Sequence, residues 1–278
     1  MCELLGMNCN VPTDICFSFA GFQARGGATD VHADGWGIGF FESRAGEDAR
    51  GCRVFLDPNP SASSPIAELV RNYPIRSMNV IAHIRKATQG VVALENTHPF
   101  QRELWGRYWL FAHNGHLPDS VAVLSADGRF RPVGNTDSER AFCHLLNRLE
   151  AVFGRSSPAE ADLFEQVAAW SREVGRDGPC NFLLSNGQWL FAHASTKLAC
   201  IVRQAPFAKA HLKDEDITVD FARVTTPNDR VAVIATNPLT DNEQWTEIPA
   251  GNLWLFRDGA VVRQAATVPG PPKKPAVT

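Results

Sequence analysis

MCELLGMN, residues 1–8, places a cysteine directly after the first methionine and directly before an apolar run. The run over residues 3–8 is typical of a first buried strand. Since an initiator methionine is normally removed before a small residue, we expect Cys2 to become the N-terminal residue. It would then carry a thiol nucleophile together with an α-amine whose pKa of about 7.7–8.0 suits a base at neutral pH. A cysteine at position two also arises by chance, so this feature alone does not establish the chemistry.

Beyond this strand, the order of elements indicates the fold class. A helix is expected over about residues 14–24, with Thr13 as its cap. Later strands form antiparallel runs, the clearest being a hairpin of residues 180–185 and 188–193 around an Asn-Gly turn. Two long helices, beginning near Thr136 and Pro158, are grouped between these runs, which favours an α+β fold over alternating parallel units. We expect one domain over residues 1–266 and a Pro-rich, extended or disordered tail over 267–278.

The composition excludes several classes of partner. The 278 residues carry a net charge of −3, so we expect no broad basic surface for nucleic acid or anionic lipid. The apolar stretches are far shorter than the roughly 20 residues of a membrane span. The N-terminus lacks the basic region of a signal peptide, and the expected location is the cytoplasm. The seven cysteines show no CxxC spacing, and we expect most of them to be reduced, buried thiols.

IAHIRKATQG, residues 81–90, has the alternation of a half-buried strand. Arg85, at the end of this strand, is costly to bury unless it meets an anion, and its planar fork suits a carboxylate. Taken alone, a surface arginine in water is the more common case. His83 lies two residues earlier on the same face and is by default a structural histidine.

Two further segments carry polar groups that could face a substrate. LFAHNGHLPD, residues 110–119, contains Asn114 and Gly115, ordinarily a turn, which can also bring an amide side chain and an unobstructed backbone N–H to one point. Two such donors form an oxyanion hole, in which the loss of one costs about 3–4 kcal/mol of transition-state stabilisation. GNTDSER, residues 134–140, places Asp137 at a helix start, either as a cap or as the partner of a substrate ammonium.

The order of these segments resembles a known family. Cys2 is followed by HADGWG (32–37), HIRKAT (83–88), NTHPF (96–100), AHNG (112–115) and NTDSE (135–139). The series resembles the class-II glutamine amidotransferases, which are N-terminal-nucleophile hydrolases, and in particular their stand-alone YafJ-like branch. By motif, the resemblance covers about residues 2–140. It implies a four-layer αββα sandwich of two antiparallel sheets.

The resemblance implies catalytic roles for three residues. Cys2 matches the nucleophile of the family, with its freed α-amine as the general base, and Asn114 and Gly115 match the pair that forms the oxyanion hole. The implied reaction passes through a γ-glutamyl thioester that water hydrolyses, and it needs neither a metal nor a cofactor.

The resemblance also implies a clamp for the charged head of glutamine. Arg85 matches the arginine that binds the α-carboxylate, and Asp137 matches the aspartate that binds the α-ammonium. Thr88 lies in the same substrate-side loop as a threonine of the family. His98, in the His-Pro segment, and His83 are expected to support the site.

Departures from the sugar- and purine-pathway members of the family leave the leaving group open. Lys86 stands where those members carry an aromatic residue, and Val31 and His32 stand where they carry an Arg-Gly pair. Those members also have a second domain that consumes ammonia, whereas only a tail is expected after residue 266.

Three functions therefore remain open on the sequence. The first is a glutamine amidohydrolase that supplies ammonia to a separate synthase subunit. The second is a hydrolase of another γ-glutamyl amide or peptide, as in glutathione or ergothioneine metabolism, because the clamp contacts only the γ-glutamyl head. The third is a non-catalytic glutamine-binding module. The joint presence of Cys2, Arg85, Asn114, Gly115 and Asp137 argues against this third function.

Overall fold

Antiparallel strands are the most abundant secondary structure in the part of the chain that the structure, a computed structural model, describes: residues 2–42, 51–87, 91–117, 128–176 and 178–268. The strands are β1 (Glu3–Thr13), β2 (Trp36–Glu42), β3 (Gly51–Asp57), β4 (Ser77–Ile84), β5 (Phe100–Leu104), β6 (Arg107–Gly115), β7 (Cys180–Ser185), β8 (Leu190–Ala194), β9 (Leu198–Gln204), β10 (Lys209–His211), β11 (Thr218–Asp220), β12 (Arg230–Ala235), β13 (Thr246–Ile248), β14 (Asn252–Arg257) and β15 (Ala260–Ala266). The helices are α1 (Cys16–Ala24), α2 (Pro65–Asn72), α3 (Asp137–Phe153) and α4 (Glu160–Val174). None of these helices combines the length and the apolar character that crossing a membrane requires.

The strands form two large sheets. The first has seven strands in the order β13-β9-β12-β1-β4-β2-β3, and the second has six in the order β15-β14-β8-β7-β6-β5. All strand pairings among the described residues are antiparallel. β1 is central in the first sheet, where Leu5 lies opposite Ala235 on one side and Ala82 on the other. The N-terminal strand is therefore held along both edges.

Alternation of side chains across each sheet produces four layers. In β1, Leu5 packs under α1 and α2, whereas Leu4 faces the second sheet. In β6, Phe111 packs under α3 and α4, whereas Leu110 lies between the sheets. Strands that are buried on both faces have nearly continuous apolar sequences, as in residues 4–7. The predicted α+β fold, a four-layer αββα sandwich of two antiparallel sheets, is confirmed.

Helix α1 begins later than predicted and has no side-chain cap. Thr13 stays in β1 and donates its hydroxyl to the carbonyl of Val11 at 2.9 Å, while Ile15 occupies the N-cap position. Asp14 Oδ1 accepts the N–H of Cys16 at 3.2 Å. The predicted cap is wrong because the strand continues through Thr13.

The folded body extends past the predicted boundary at residue 266. Thr267 is buried, donates its N–H to the carbonyl of Gly251 at 2.6 Å, and contacts His193 Nε2 through its hydroxyl at 2.8 Å. Thr267, the first residue of the expected tail over 267–278, therefore belongs to the folded body instead. Residues 269–278 lie outside the described part of the chain.

A contact between the two sheets tests the layer order. A Cβ added at Gly39 would lie 2.3 Å from Leu110 Cδ1, so Gly39→Ala should lower the free energy of unfolding by about 1–3 kcal/mol through overpacking. Leu110→Ala should lower it by about 2–5 kcal/mol by leaving a cavity. The double variant should lose less than the sum, because the new methyl group enters the space that Leu110 leaves. Urea unfolding of the four proteins measures these changes.

Leu69→Ala is the control, because Leu69 is a mostly exposed leucine on α2. It should change the free energy of unfolding by less than about 0.5 kcal/mol. Strictly additive losses in the double variant would contradict direct packing of β2 on β6.

Candidate active site

The start of β1 and the end of β6 meet where the two sheets face each other. Cys2 immediately precedes β1 of the seven-stranded sheet, and Asn114 lies near the end of β6 in the six-stranded sheet. The backbone N–H of Cys2 donates to Asn114 Oδ1 at 3.0 Å, and Asn114 Nδ2 donates to the carbonyl of Cys2 at 2.6 Å. One amide side chain thus binds both polar backbone groups of a residue 112 positions away in sequence.

Neighbours in its own sheet hold Asn114 in position. Asn181 lies opposite it in β7 and donates Nδ2 to the carbonyl of Asn114 at 3.0 Å. The next pair is Gly115 and Cys180, and a Cβ at Gly115 would lie 1.8 Å from the carbonyl oxygen of Pro179. A side chain at position 115 would therefore displace the chain beside Asn114, which explains the glycine sterically.

The Cys2 sulfur lies against the chain that leaves β4. The N–H of Lys86 donates to Cys2 Sγ at 3.3 Å, and the thiol donates to the carbonyl of Lys86 at 3.5 Å. Burial raises the pKa of the Cys2 thiol above its ordinary value, whereas the Lys86 N–H, the nearby chain terminus and the Arg85 cation lower it and Asp137 raises it further. The net shift is upward, so the resting thiol keeps its proton and nucleophilic attack would require a base.

Arg85 is a buried cation at this same place. Its side chain donates from Nη1 to the carbonyl of Val91 at 2.9 Å, and the residue is 3% exposed. Burial lowers the pKa of the guanidinium, while negative charge on Cys2, Asp34 and Asp137 raises it. Arg85, Cys2 and Asp137 therefore form one electrostatic cluster.

Asp137 is not the cap of α3. Thr136 occupies the N-cap position, and its hydroxyl accepts the N–H of Glu139 at 3.2 Å. Asp137 instead begins the helix, and its Oδ2 accepts the N–H of Leu117 at 2.8 Å while its Oδ1 accepts the N–H of Ser138 at 2.8 Å. Its carboxylate is thus attached to the chain that continues from β6.

Buried histidines lie beneath Asn114. His83 Nε2 lies 3.1 Å from the carbonyl of His113 in the opposite sheet, and the ring of His98 lies against that of His83, tilted by 36° with centroids 4.2 Å apart. His113 Nδ1 lies 2.8 Å from Ser138 Oγ. Burial lowers the pKa of His83 to about 3 and that of His98 well below its ordinary value. Both rings are neutral at pH 7, and His83 then donates Nε2–H to the carbonyl group.

A buried ion pair at the residue next to Cys2 was not anticipated from the sequence. Glu3 Oε2 accepts a hydrogen bond from Arg25 Nη1 at 3.1 Å, and both side chains are nearly inaccessible. Burial raises the pKa of Glu3, and Arg25 opposes that shift. The one signal in the sequence was an acidic residue at the start of an apolar strand.

Some features lie apart from this site or beyond the described residues. Thr88 lies outside the described residues, as do residues 118–127. A cavity of about 1120 Å³ lies on the helix-covered face of the seven-stranded sheet against Met7 and Val233, and Cys2 is not among the residues that line it. The same part of the chain contains no group of three histidine, cysteine or acidic residues arranged to hold a metal ion.

Comparison with known proteins identifies similar chains. The family model for glutamine amidotransferases of class II matches residues 1–277. YafJ of Escherichia coli K12 is 54% identical over 256 residues, which cover 92% of this chain and 97% of YafJ. A gamma-glutamyl-hercynylcysteine sulfoxide hydrolase of Mycobacterium tuberculosis is 25% identical over 224 residues, which cover 80% of this chain and 75% of that protein.

Solved structures share the fold. The crystal structure of a predicted glutamine amidotransferase from Pseudomonas aeruginosa is 48% identical with a TM-score of 0.73, over 94% of this chain and 99% of its own. The glutamine phosphoribosylpyrophosphate amidotransferase of B. subtilis has a TM-score of 0.59 at 14% identity, over 95% of this chain and 49% of its own. At that identity, the second similarity supports the fold alone.

The buried neutral histidines predict a loss of stability in mild acid. When the folded pKa of a histidine is below its unfolded value of about 6.5, the unfolded state holds more protons between the two values, so the free energy of unfolding falls as pH falls. His98→Phe keeps a ring beside Phe100, whose centroid is 4.4 Å from that of His98, and removes one such group. Below about pH 6, its free energy of unfolding should therefore fall less steeply, by up to about 1.4 kcal/mol per pH unit. Urea unfolding at several pH values measures the slope.

His211→Asn should change the pH dependence of the free energy of unfolding in the sense opposite to His98→Phe, and at higher pH. Hydrogen bonds that the His211 ring donates to Asp241 and Asp216 raise the pKa of this exposed histidine, so its contribution to stability is present below the unfolded pKa and is lost as pH rises through the folded value. Removal of His211 should abolish the gain in the free energy of unfolding that occurs as pH falls from the folded pKa of His211 to about 6.5, and should leave the slope below about pH 6 unchanged. If the free energy of unfolding of His98→Phe had the same dependence on pH as that of the wild type, His98 would not be a buried, neutral group.

Proposed function

The chain belongs to the class-II glutamine amidotransferases, and we propose that it is a glutamine amidohydrolase whose nucleophile is the mature N-terminal Cys2. The observation that carries this proposal is the pair of hydrogen bonds between the Asn114 side chain and the backbone of Cys2, at 3.0 and 2.6 Å. They put a potential oxyanion donor beside a potential nucleophile. The fold and the family membership support an enzyme that acts on an amide C–N bond.

The proposed reaction begins with removal of Met1, which turns the backbone nitrogen of Cys2 into an α-amine. This amine takes the proton of the thiol, and the thiolate attacks the side-chain amide carbon of glutamine. Collapse of the tetrahedral intermediate breaks the C–N bond, and the amine returns its proton to the departing ammonia. Water then hydrolyses the γ-glutamyl thioester, which releases glutamate and restores the thiol.

The oxyanion is stabilised by donors at the end of β6. An amide side chain carries two N–H groups, so Asn114 can donate one to the carbonyl of Cys2 and the other to the oxyanion. The backbone N–H of Gly115 is the second proposed donor. Such donors are effective because they are held in place before charge develops.

The head of the substrate is held by opposite charges. Arg85 binds the α-carboxylate and Asp137 the α-ammonium, so binding energy orients the amide at the sulfur. Because Thr136 caps α3, the carboxylate of Asp137 is not needed as the helix cap. We include Thr88 in the substrate-binding loop, with His83 and His98 as supports beneath Asn114. No metal or cofactor takes part in this scheme.

A second candidate function is hydrolysis of another γ-glutamyl amide or peptide. It is favoured by the 25% identity with the mycobacterial gamma-glutamyl-hercynylcysteine sulfoxide hydrolase over 80% of this chain. The proposed clamp contacts only the γ-glutamyl head, so both reactions use the same residues. In the first function, the ammonia is passed to a separate synthase subunit.

Release of ammonia from glutamine tests the proposal directly. Protein shown by mass spectrometry to lack Met1 should release ammonia and glutamate from L-glutamine, and Cys2→Ala should lower the rate at least about 10³-fold. Cys16→Ala removes a half-buried thiol of the outer helix layer and should leave the rate unchanged. Full activity in Cys2→Ala, or in protein that retains Met1, would contradict the mechanism. Reaction of γ-glutamyl peptides but not of glutamine would favour the second function.

Kinetics of two variants separate the clamp from the oxyanion hole. Arg85→Ala should raise KM about 10²-fold, because it removes the partner of the α-carboxylate. Asn114→Ala should lower kcat about 10²–10³-fold, because the lost donor acts mainly in the transition state. Arg53→Ala, at a surface arginine paired with Glu42, should change neither constant.

The opposite pattern, with KM altered by Asn114→Ala and kcat by Arg85→Ala, would show that the two roles are exchanged. Thermal melting of each variant identifies losses that arise from misfolding.

A further inference from the structure

The HADGWG segment has no role in the mechanism proposed above, although it runs alongside the nucleophile. Asp34 donates its backbone N–H to the carbonyl of Arg85 at 3.1 Å, and Arg85 donates its N–H to the carbonyl of Gly35 at 2.8 Å. These bonds continue the pairing of β2 with β4 beyond its last residue pair, Trp36 and Ile84. The chain that leaves β4 is thereby fixed up to Arg85.

The side chain of Asp34 extends this attachment by two residues. Its Oδ2 accepts the N–H of Ala87 at 2.7 Å. Asp34 thus binds the residues on both sides of Lys86, whose own peptide faces the sulfur: the Lys86 N–H donates to Cys2 Sγ at 3.3 Å and its carbonyl accepts from the thiol at 3.5 Å.

We propose that Asp34 is a positioning residue whose carboxylate holds the Lys86 peptide against the sulfur of Cys2. An aspartate suits this position because a β-carboxylate can accept a backbone N–H where the partner strand offers no further carbonyl. The inference rests on the proposed role of Cys2 as nucleophile and adds a residue that acts on it through the backbone.

The held peptide matters because it is one of few groups that favour the thiolate. Burial disfavours the charged sulfur, and the Lys86 N–H, the chain terminus and Arg85 oppose that effect, while Asp137 adds to it. If Ala87 were released, the Lys86 N–H could turn away from the sulfur while the other charges stayed in place. The thiol would then ionise at a higher pH.

Alkylation of Cys2 by iodoacetamide, followed by peptide mass spectrometry over a range of pH, tests this without glutamine. Asp34→Ala should slow alkylation at pH 7 about tenfold and move the midpoint of the pH profile upward. Asp34→Asn keeps an oxygen that can accept the Ala87 N–H and should stay within about twofold of the wild type. Asp229→Ala removes a carboxylate that accepts the N–H of Thr226 at 3.0 Å far from Cys2, and should leave the pH profile of Cys2 unchanged.

The other thiols provide an internal reference in each sample. Burial raises the pKa of Cys9 and Cys52 to about 12, and that of Cys16, Cys143 and Cys200 to about 11. Their alkylation should be slow and should not depend on Asp34.

Two results would overturn the inference. One is a folded Asp34→Ala protein whose Cys2 has the wild-type pH profile. The other is an Asp34→Asn protein as slow as Asp34→Ala, which would show that charge rather than the backbone contact matters. If Asp34→Ala does not fold, Ala87→Pro removes the same N–H from the other side and should give the same upward shift, whereas an unshifted profile would overturn the inference.

Ammonia release, measured on the same samples, separates this inference from the proposed function. A Cys2 profile that depends on Asp34 without glutamine hydrolysis would keep the inference and reject the function. Glutamine hydrolysis whose rate is the same in Asp34→Ala and in the wild type would support the proposed function and reject the role of Asp34.

Discussion

The candidate site depends on one amide side chain that joins the two sheets at the start of the chain. Asn114 accepts from the nitrogen of Cys2 and donates to its carbonyl, so the residue before β1 is fixed from the opposite sheet. Chain termini are usually frayed, and a terminal nucleophile would lose its orientation. Here the following residues are also held, because Leu4 exchanges hydrogen bonds with Thr236 at 2.9 and 3.1 Å and Glu3 pairs with Arg25.

The sandwich explains why these groups can meet. Each sheet brings one strand terminus to the shared interior, where polar groups of the two sheets can pair with each other. The hydrogen bond from His83 to the carbonyl of His113 is such a contact, and it lies one residue before Asn114. A neutral imidazole supplies an N–H without the cost of a buried charge, which is consistent with the lowered pKa of His83.

Much of the fold was predictable from the sequence, but local physics was not always sufficient. The strand over residues 180–185 has the predicted bounds because an Asn-Gly turn defines its hairpin. The order of the motifs, rather than periodicity, predicted the four layers. Thr13 was expected to cap α1, but pairing in β1 takes precedence over that preference. Thr267 was assigned to the tail because its burial depends on His193, 74 residues away.

The candidate site residues likewise divide into those that the sequence predicted and those that only the structure revealed. Arg85, Asn114 and Asp137 stood out because their motifs occur together in the order typical of the family, although each feature alone has a more common structural explanation. Asp34 did not, because its partner is the backbone N–H of Ala87, and no side-chain pattern marks a bond to a peptide 53 residues away. Similarly, the choice of Thr136 over Asp137 as the cap required coordinates, since both residue types are good caps.

The central claim is that Cys2, at a freed chain terminus, attacks a γ-glutamyl amide whose oxygen lies at Asn114. A crystal structure of the methionine-free protein after reaction with a diazoketone analogue of glutamine tests it most directly. The account predicts a covalent bond to Cys2 Sγ, the ketone oxygen within hydrogen-bond distance of Asn114 Nδ2 and the Gly115 N–H, and the amino-acid head between Arg85 and Asp137. Attachment to a different cysteine, or a head group turned away from Arg85 and Asp137, would contradict it.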